Sequence, residues 1–246
     1  MRLQNKTAIV TGGASGFGAG IVRKFVAEGA RVAIVDVNAP AAEALARELG
    51  AVAITADVSS SASVAAMVAR AQQTLGRIDI LVNNAGVGQV PQAMEELSEA
   101  EFDRLFSINA KSVYLTARQI VPLMKIAGGG AILNVASTGG VSPRPRLTWY
   151  NASKGWMITA TRAMAVELAH AQIRVNAINP VAGETPLLKT FMGEDTPEMR
   201  AKFLATIPLG RFSTPQDIGN AACFLCCDEA SMITGVALEV DGGRCI

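Results

Sequence analysis

Thr11-Gly12-Gly13-Ala14-Ser15-Gly16-Phe17-Gly18 follows directly on the β-branched run Thr7-Ala8-Ile9-Val10 and opens an amphipathic stretch over 16–28. A glycine-rich turn from strand to helix lets the main chain approach a pyrophosphate closely, while the free N–H groups of the helix N-terminus face its negative charge. Alone, such a turn serves tight helix-on-sheet packing equally well. Asp36 tips the balance, because it closes the next β-branched run, 31–36 (RVAIVD), about 20 residues further on. A carboxylate there accepts both hydroxyls of an adenosine ribose and repels a 2′-phosphate. Ser15 stands before Gly16, and Val37-Asn38 after Asp36, so no Arg or Lys is placed to neutralise that phosphate. NAD is therefore favoured over NADP. No Gly-Lys-Ser/Thr follows, which excludes a Walker-type loop.

Outward from this turn the same alternation repeats. The runs 7–11, 31–36, 51–56, 78–83, 131–135, 173–178 and 236–240 read as strands buried on both faces, and 16–28, 40–49, 61–75, 99–125, 149–170 and 215–227 read as helices. Strands that alternate with helices pair in parallel, because each crossover must pass over one face of the sheet. The expectation is α/β: one doubly wound domain over 1–246, a seven-stranded parallel sheet with helices on both faces. The stretch 184–212 departs from the pattern. It carries Pro186, Gly193, Pro197 and Pro208 around two short amphipathic pieces, and its length suits a lid. Leu187, Leu188, Phe191, Met192, Met199 and Phe203, with Trp149, would form an apolar roof or plain core; the pattern alone leaves both open.

Composition narrows the partners. Among 246 residues, 22 Lys+Arg face 21 Asp+Glu with the signs interleaved, which gives no electrostatic footprint for nucleic acid or an anionic membrane. Charges interrupt every long apolar run, and the one ending at Val10 is too brief for a secretory signal, so a cytoplasmic protein without a membrane span is expected. Cys223, Cys226 and Cys227 lie in one apolar helical stretch and read as packing, not a disulfide framework. With His170 the single histidine, no metal site is expected.

Tyr150-Asn151-Ala152-Ser153-Lys154 places a phenol and an ammonium one helical turn apart. A phenol titrates near 10 and is a poor base at neutral pH; a nearby cation favours the phenolate. Ser137 ends the fifth strand, thirteen residues earlier, and Asn109 falls in the middle of the long helix before it. In an open parallel sheet ligands gather outside the C-terminal strand ends, where Ser137, Asn84 and the glycine turn all fall.

With these motifs in family order, Thr11 to Gly18 (TGxxxGxG), Asn83-Asn84-Ala85-Gly86 (NNAG), Asn109, Ser137, Tyr150 and Lys154 (YxxxK), Asn179-Pro180 and Asp241-Gly242-Gly243, the chain resembles the short-chain dehydrogenase/reductase family over essentially its whole length. The resemblance implies a Rossmann-like fold, a nicotinamide cofactor, and an Asn109, Ser137, Tyr150, Lys154 tetrad. It implies cofactor contacts from Gly12, Ser15, Gly16, Phe17, Gly18 and Asp36 at the turn, Asp57 and Val58 at the adenine, and Asn84 and Gly86 at the adenosine ribose. Tyr150 and Lys154 also belong to that set, as do Pro180, Gly183 and Thr185 near the carboxamide. Relatives are commonly homotetramers built on the helices matching 99–125 and 149–170. One departure is Pro180-Val181, where many relatives have Pro-Gly.

The leading expectation is an NAD-dependent alcohol dehydrogenase or ketoreductase acting on a small secondary alcohol/ketone pair. Its rivals are an NADP-preferring 3-oxoacyl-[acyl-carrier-protein] reductase, and a non-catalytic NAD sensor, against which an intact tetrad argues. A hydrolase lacks its Gly-x-Ser-x-Gly elbow, and His170 reads as a helix-end residue. Arg144 and Arg146 stand equally as ligands for an anionic substrate and as exposed loop charges.

Overall fold

A computed structural model describes residues 1–246. Strands β1 (Thr7–Thr11), β2 (Arg31–Asp36), β3 (Val52–Thr55), β4 (Ile80–Asn83), β5 (Gly130–Val135), β6 (Ile173–Pro180) and β7 (Ala237–Val240) form one sheet in the order β3-β2-β1-β4-β5-β6-β7. Every pairing is parallel. The order reverses between β1 and β4, and the crevice at that reversal opens at the C-terminal strand ends.

Side chains alternate across a strand, so β1 feeds two cores. Ala8 and Val10 meet Ile21 and Phe25 of α1 (Gly16–Ala27) and Ile218, Ala222 and Cys223 of α9 (Pro215–Cys226). Ile9 faces the opposite layer, with Met67 of α3 (Ser61–Leu75), Ile120 and Met124 of α5 (Ser112–Ile126), and Ala165 of α6 (Thr148–Leu168). Helix α2 (Ala39–Leu49) completes the first layer. Cys223, Cys226 and Cys227 are buried there, and burial pushes the Cys226 thiol up to about 12, leaving it inert.

Burial on both faces does not extend to β3 and β7. These edge strands are only partly covered, since each has a neighbour on one side only. Helices α1 and α9 approach unusually closely. A methyl on Gly20 would lie 2.2 Å from the Pro215 carbonyl oxygen, and one on Gly219 would lie 2.6 Å from that of Gly20. Gly20→Ala is expected to cost about 3 kcal/mol, read as a lower urea midpoint at unchanged slope.

The long helix expected over 99–125 is interrupted. Helix α4 (Glu99–Phe106) gives way to a π turn, Ser107–Lys111, before α5 begins. The cause is tertiary: Asn109 is fully buried, accepts from the Val87 N–H at 2.9 Å, and donates to Val87 O at 3.0 Å and Ser153 Oγ at 3.1 Å. The widened turn holds that amide inward, a use common to π turns at functional sites. Behind it runs a chain of buried hydrogen bonds: Thr116 donates to Asn83, Asn83 to Asn134, and Asn134 to Thr161.

Helices α7 (Leu187–Met192) and α8 (Pro197–Leu204) form the lid. It has its own small core of Val181, Leu188, Met192, Ile207 and Phe212, with Met199 packed against it, while Phe191 and Phe203 line the cleft. The expected roof is thus part core and part cleft wall. Trp149 does not join it: its indole N–H donates to Met94 O at 3.0 Å and its ring meets Phe102 edge-on. Val181 has no positive φ, so the site needs no glycine's freedom. No helix is long and apolar enough to cross a membrane.

Candidate active site

A cleft of about 350 Å³ runs along the C-terminal ends of β1, β2, β4, β5 and β6 under the lid. Gly12, Ser15, Gly16, Phe17, Gly18, Asp36, Asp57, Val58, Asn84, Gly86, Ser137, Tyr150, Lys154, Pro180, Gly183 and Thr185 all line it. Asn109 does not. It lies one layer behind, where its Oδ1 and the Lys154 Nζ are the atoms nearest to Gly86, 3.3 and 3.4 Å from where a Cβ would stand.

The glycine turn is a cradle that side chains would fill. Gly12 has φ +61°, and a Cβ on Gly18 would stand 2.0 Å from Gly12 O. The Asn84 amide braces it, donating to Thr11 O and Gly12 O, both at 2.9 Å. No side chain caps the start of α1, and its first turn holds no acid, so its N–H groups remain available to a pyrophosphate. Asp36 accepts from the Ala14 and Asn38 N–H groups, each at 3.0 Å, which holds its carboxylate at the cleft wall. Phe17 packs on Gly183, with no room for a side chain between them. These residues fit a nicotinamide dinucleotide. Asp57 accepts from Ser59 within its own turn, whereas Val58 is buried.

Tyr150 and Lys154 sit on the first turns of α6, both buried. Leu147 offers no side-chain cap; instead the Gln89 amide oxygen, fully buried, accepts from the Tyr150 N–H at 3.0 Å. The Phe191 ring stands 4.9 Å from that of Tyr150. Ser137 accepts from the Gly139 N–H at 3.0 Å and lines the cleft with Tyr150, where it favours the ionised phenol. Lys154 Nζ donates to Val135 O at 2.8 Å. Burial pushes the Tyr150 phenol up to about 12, against the pull of Ser137, and pushes Lys154 down to about 8. The phenol of the free protein is therefore an acid at neutral pH: desolvation sets its value, and the expected lowering by Lys154 does not contribute.

Three contributors escaped the motif reading. Gln89 caps α6 from a loop with no helical pattern of its own. The Thr11 hydroxyl accepts from the Asn84 and Ala85 N–H groups, both at 3.1 Å, and its only signal is its place at the head of the glycine turn. Arg244, near the C-terminus, donates to Ser142 at 3.2 Å. Of the two loop arginines, Arg144 lines the cleft while Arg146 is exposed.

A family model described as enoyl-(acyl carrier protein) reductase matches residues 12–244. The chain is 48% identical to 4-formylbenzenesulfonate dehydrogenase of Comamonas testosteroni, over 99% of each. Among solved structures it resembles a 3-ketoacyl-(acyl-carrier-protein) reductase from Brucella melitensis complexed with NADH (51% identity, TM-score 0.95, 99% of this chain and 100% of that one). It also resembles a 7α-hydroxysteroid dehydrogenase complexed with NADH and 7-oxo glycochenodeoxycholic acid (38% identity, TM-score 0.92, 98% and 95%). Glycine cradle, YxxxK helix and whole-length likeness converge, and the chain belongs to the short-chain dehydrogenase/reductase family of oxidoreductases.

Proposed function

We propose that residues 1–246 act as one NAD-dependent unit that interconverts a secondary alcohol and a ketone, with Tyr150 as general acid/base. The observation that carries this reading is the convergence of Tyr150, Ser137 and Lys154 at one cleft with the glycine cradle and Asp36. A bound nicotinamide supplies the hydride donor or acceptor at its C4. In reduction the Tyr150 hydroxyl gives its proton to the substrate oxygen while Ser137 donates a hydrogen bond to the same atom. In oxidation Tyr150 takes that proton back as phenolate, and Ser137 steadies the oxygen as it becomes a carbonyl.

Lys154 holds the nicotinamide ribose and passes protons toward Tyr150. Asn109 fixes Val87 and Ser153, the sequence neighbours of Gly86 and Lys154; both its amide protons are committed, and its oxygen retains a lone pair for a water on the path outward. Gly12, Ser15, Gly16, Phe17 and Gly18 would hold the pyrophosphate, Asp36 the adenosine ribose, Asp57 and Val58 the adenine. Asn84 and Gly86 would hold the ribose side of the cleft, and Pro180, Gly183 and Thr185 the carboxamide. The exposed apolar side chains Tyr114 on α5 and Trp156 and Val166 on α6 support a homotetramer.

Gln89 is a positioning residue. Gln89→Leu leaves the Tyr150 N–H buried without an acceptor, and is expected to lower kcat about tenfold with the KM for NAD little changed. Loss in KM alone would remove the assignment.

A second reading, reduction of a 3-oxoacyl thioester, draws on the Brucella likeness; that relative was solved with NADH, in keeping with Asp36 here. A panel of secondary alcohols, ketones and a 3-oxoacyl thioester, followed at the nicotinamide absorbance with both cofactors, tests these readings. Turnover of simple pairs with NAD supports the first. Turnover of the thioester alone supports the second, and nucleotide binding without any turnover leaves a sensor.

A further inference from the structure

Nine of the fifteen guanidinium groups of this chain are matched. Arg2, Arg23, Arg47, Arg77, Arg104, Arg200 and Arg211 pair with carboxylates, and Arg31 and Arg174 with main-chain carbonyls. Of the remainder, Arg70, Arg118, Arg146 and Arg162 are exposed, where water solvates an unpaired charge. Arg144 and Arg244 are the two that are partly buried with neither kind of partner.

Arg144 lines the cleft, and Arg244 reaches the Arg144 loop from the C-terminal side. The Arg144 guanidinium lies 4.4 Å over the Phe203 ring of α8 and donates to Thr206 Oγ1 at 2.9 Å, while Asn151, next to the catalytic tyrosine, donates to Arg144 O at 2.8 Å. Arg244 reaches the same loop from the C-terminal turn through Ser142, and its Nε is buried with no hydrogen-bond partner. The nearest carboxylate in sequence, Asp241, is taken up by the Gly243 and Cys245 N–H groups. Burial, and then the neighbouring Arg244 charge, pull Arg144 below its usual value. Two partly buried like charges, neither ion-paired to an acid, repel each other, and an anion arriving from solvent relieves that repulsion.

We propose that this end of the cleft is an anion subsite, in which Arg144 binds a carboxylate or sulfonate of the substrate and Arg244 supplies the second positive charge. Phe191 and Phe203 wall the cleft alongside, so the substrate class is an apolar-bodied ketone or alcohol carrying an oxyanion on the end remote from the reacting carbon. The redox part of this assignment rests on the proposed oxidoreductase function; the anion-binding part does not.

The test uses the NAD(H)-loaded enzyme with 4-acetylbenzoate, 4-acetylbenzenesulfonate and the neutral methyl 4-acetylbenzoate, and separately the thermal stabilisation given by benzenesulfonate. The wild type is expected to favour the two anions over the ester by about 30-fold in kcat/KM, the scale of one charge-assisted contact. Arg144→Met should abolish that preference through KM and abolish the benzenesulfonate shift, Arg144→Lys should retain part of both, and Arg244→Met should weaken both. Equal use of anions and ester by the wild type, or equal losses on both in Arg144→Met, overturns the subsite. Absence of all turnover with an Arg144-dependent benzenesulfonate shift overturns the redox reading and sustains the subsite. Absence of turnover and shift together overturns both.

Discussion

Tyr150→Phe is expected to lower turnover by about 10³- to 10⁴-fold while NADH still binds, as read by fluorescence titration. The substitution removes one oxygen and keeps the ring, so the contact with Phe191 and the packing at the start of α6 persist. What is lost is the proton donor. The pH dependence follows from the two buried groups. A phenol pushed up to about 12 stays protonated across the neutral range, so ketone reduction should be flat there. Lys154, pushed down to about 8, loses its proton above that value, and with it the charge that holds the ribose and feeds Tyr150. Reduction should therefore fall as pH rises through 8, whereas oxidation, which needs the phenolate, should gain from rising pH until that same loss sets in. Unchanged turnover in the Phe variant would remove Tyr150 from the chemistry.

The second large effect lies at the other end of the cleft. Asp36→Ser with Val37→Arg replaces a carboxylate that repels a 2′-phosphate by a hydroxyl and a cation that attract it. The ratio of kcat/KM for NADPH over NADH is expected to rise by about 10²- to 10³-fold, from loss of like-charge repulsion and gain of one charge-assisted pair. The serine hydroxyl can still accept one of the two N–H groups, of Ala14 and Asn38, that Asp36 now receives, which spares the glycine turn. A wild type already faster with NADPH would refute the charge argument.

The strands were legible because a parallel sheet covered on both faces calls for short runs rich in β-branched residues, as β1 and β2 have. The edge strand β3 carries the same composition, so nothing in its residues announces that one side lacks a neighbour, whereas β7 carries the exposed Glu239. The glycine turn, Asp36, Ser137, Tyr150 and Lys154 were legible because their chemistry is tied to local spacing. Asn109 was legible as a position but not as a π turn, since the extra residue answers to Val87 and Ser153, distant in sequence. The same holds for Gln89, whose acceptor role exists only once its loop lies across the start of α6. Arg144 was visible and Arg244 was not, because what singles them out is the lack of an ion-paired acid, a property of the folded neighbourhood.

The row of amides and hydroxyls from Thr116 through Asn83 and Asn134 to Thr161 bears on fidelity of assembly. Greasy contacts tolerate a slip of one position, since one aliphatic group replaces another at small loss. A displaced amide in that dry layer would strand its donors, so a misaligned β4–β5 pairing, or a helix docked half a turn out, forfeits several kcal/mol at once. The catalytic groups on α6 thus inherit their placement from a directional lock that ends on their own helix, at Thr161, one that acts before any ligand has arrived.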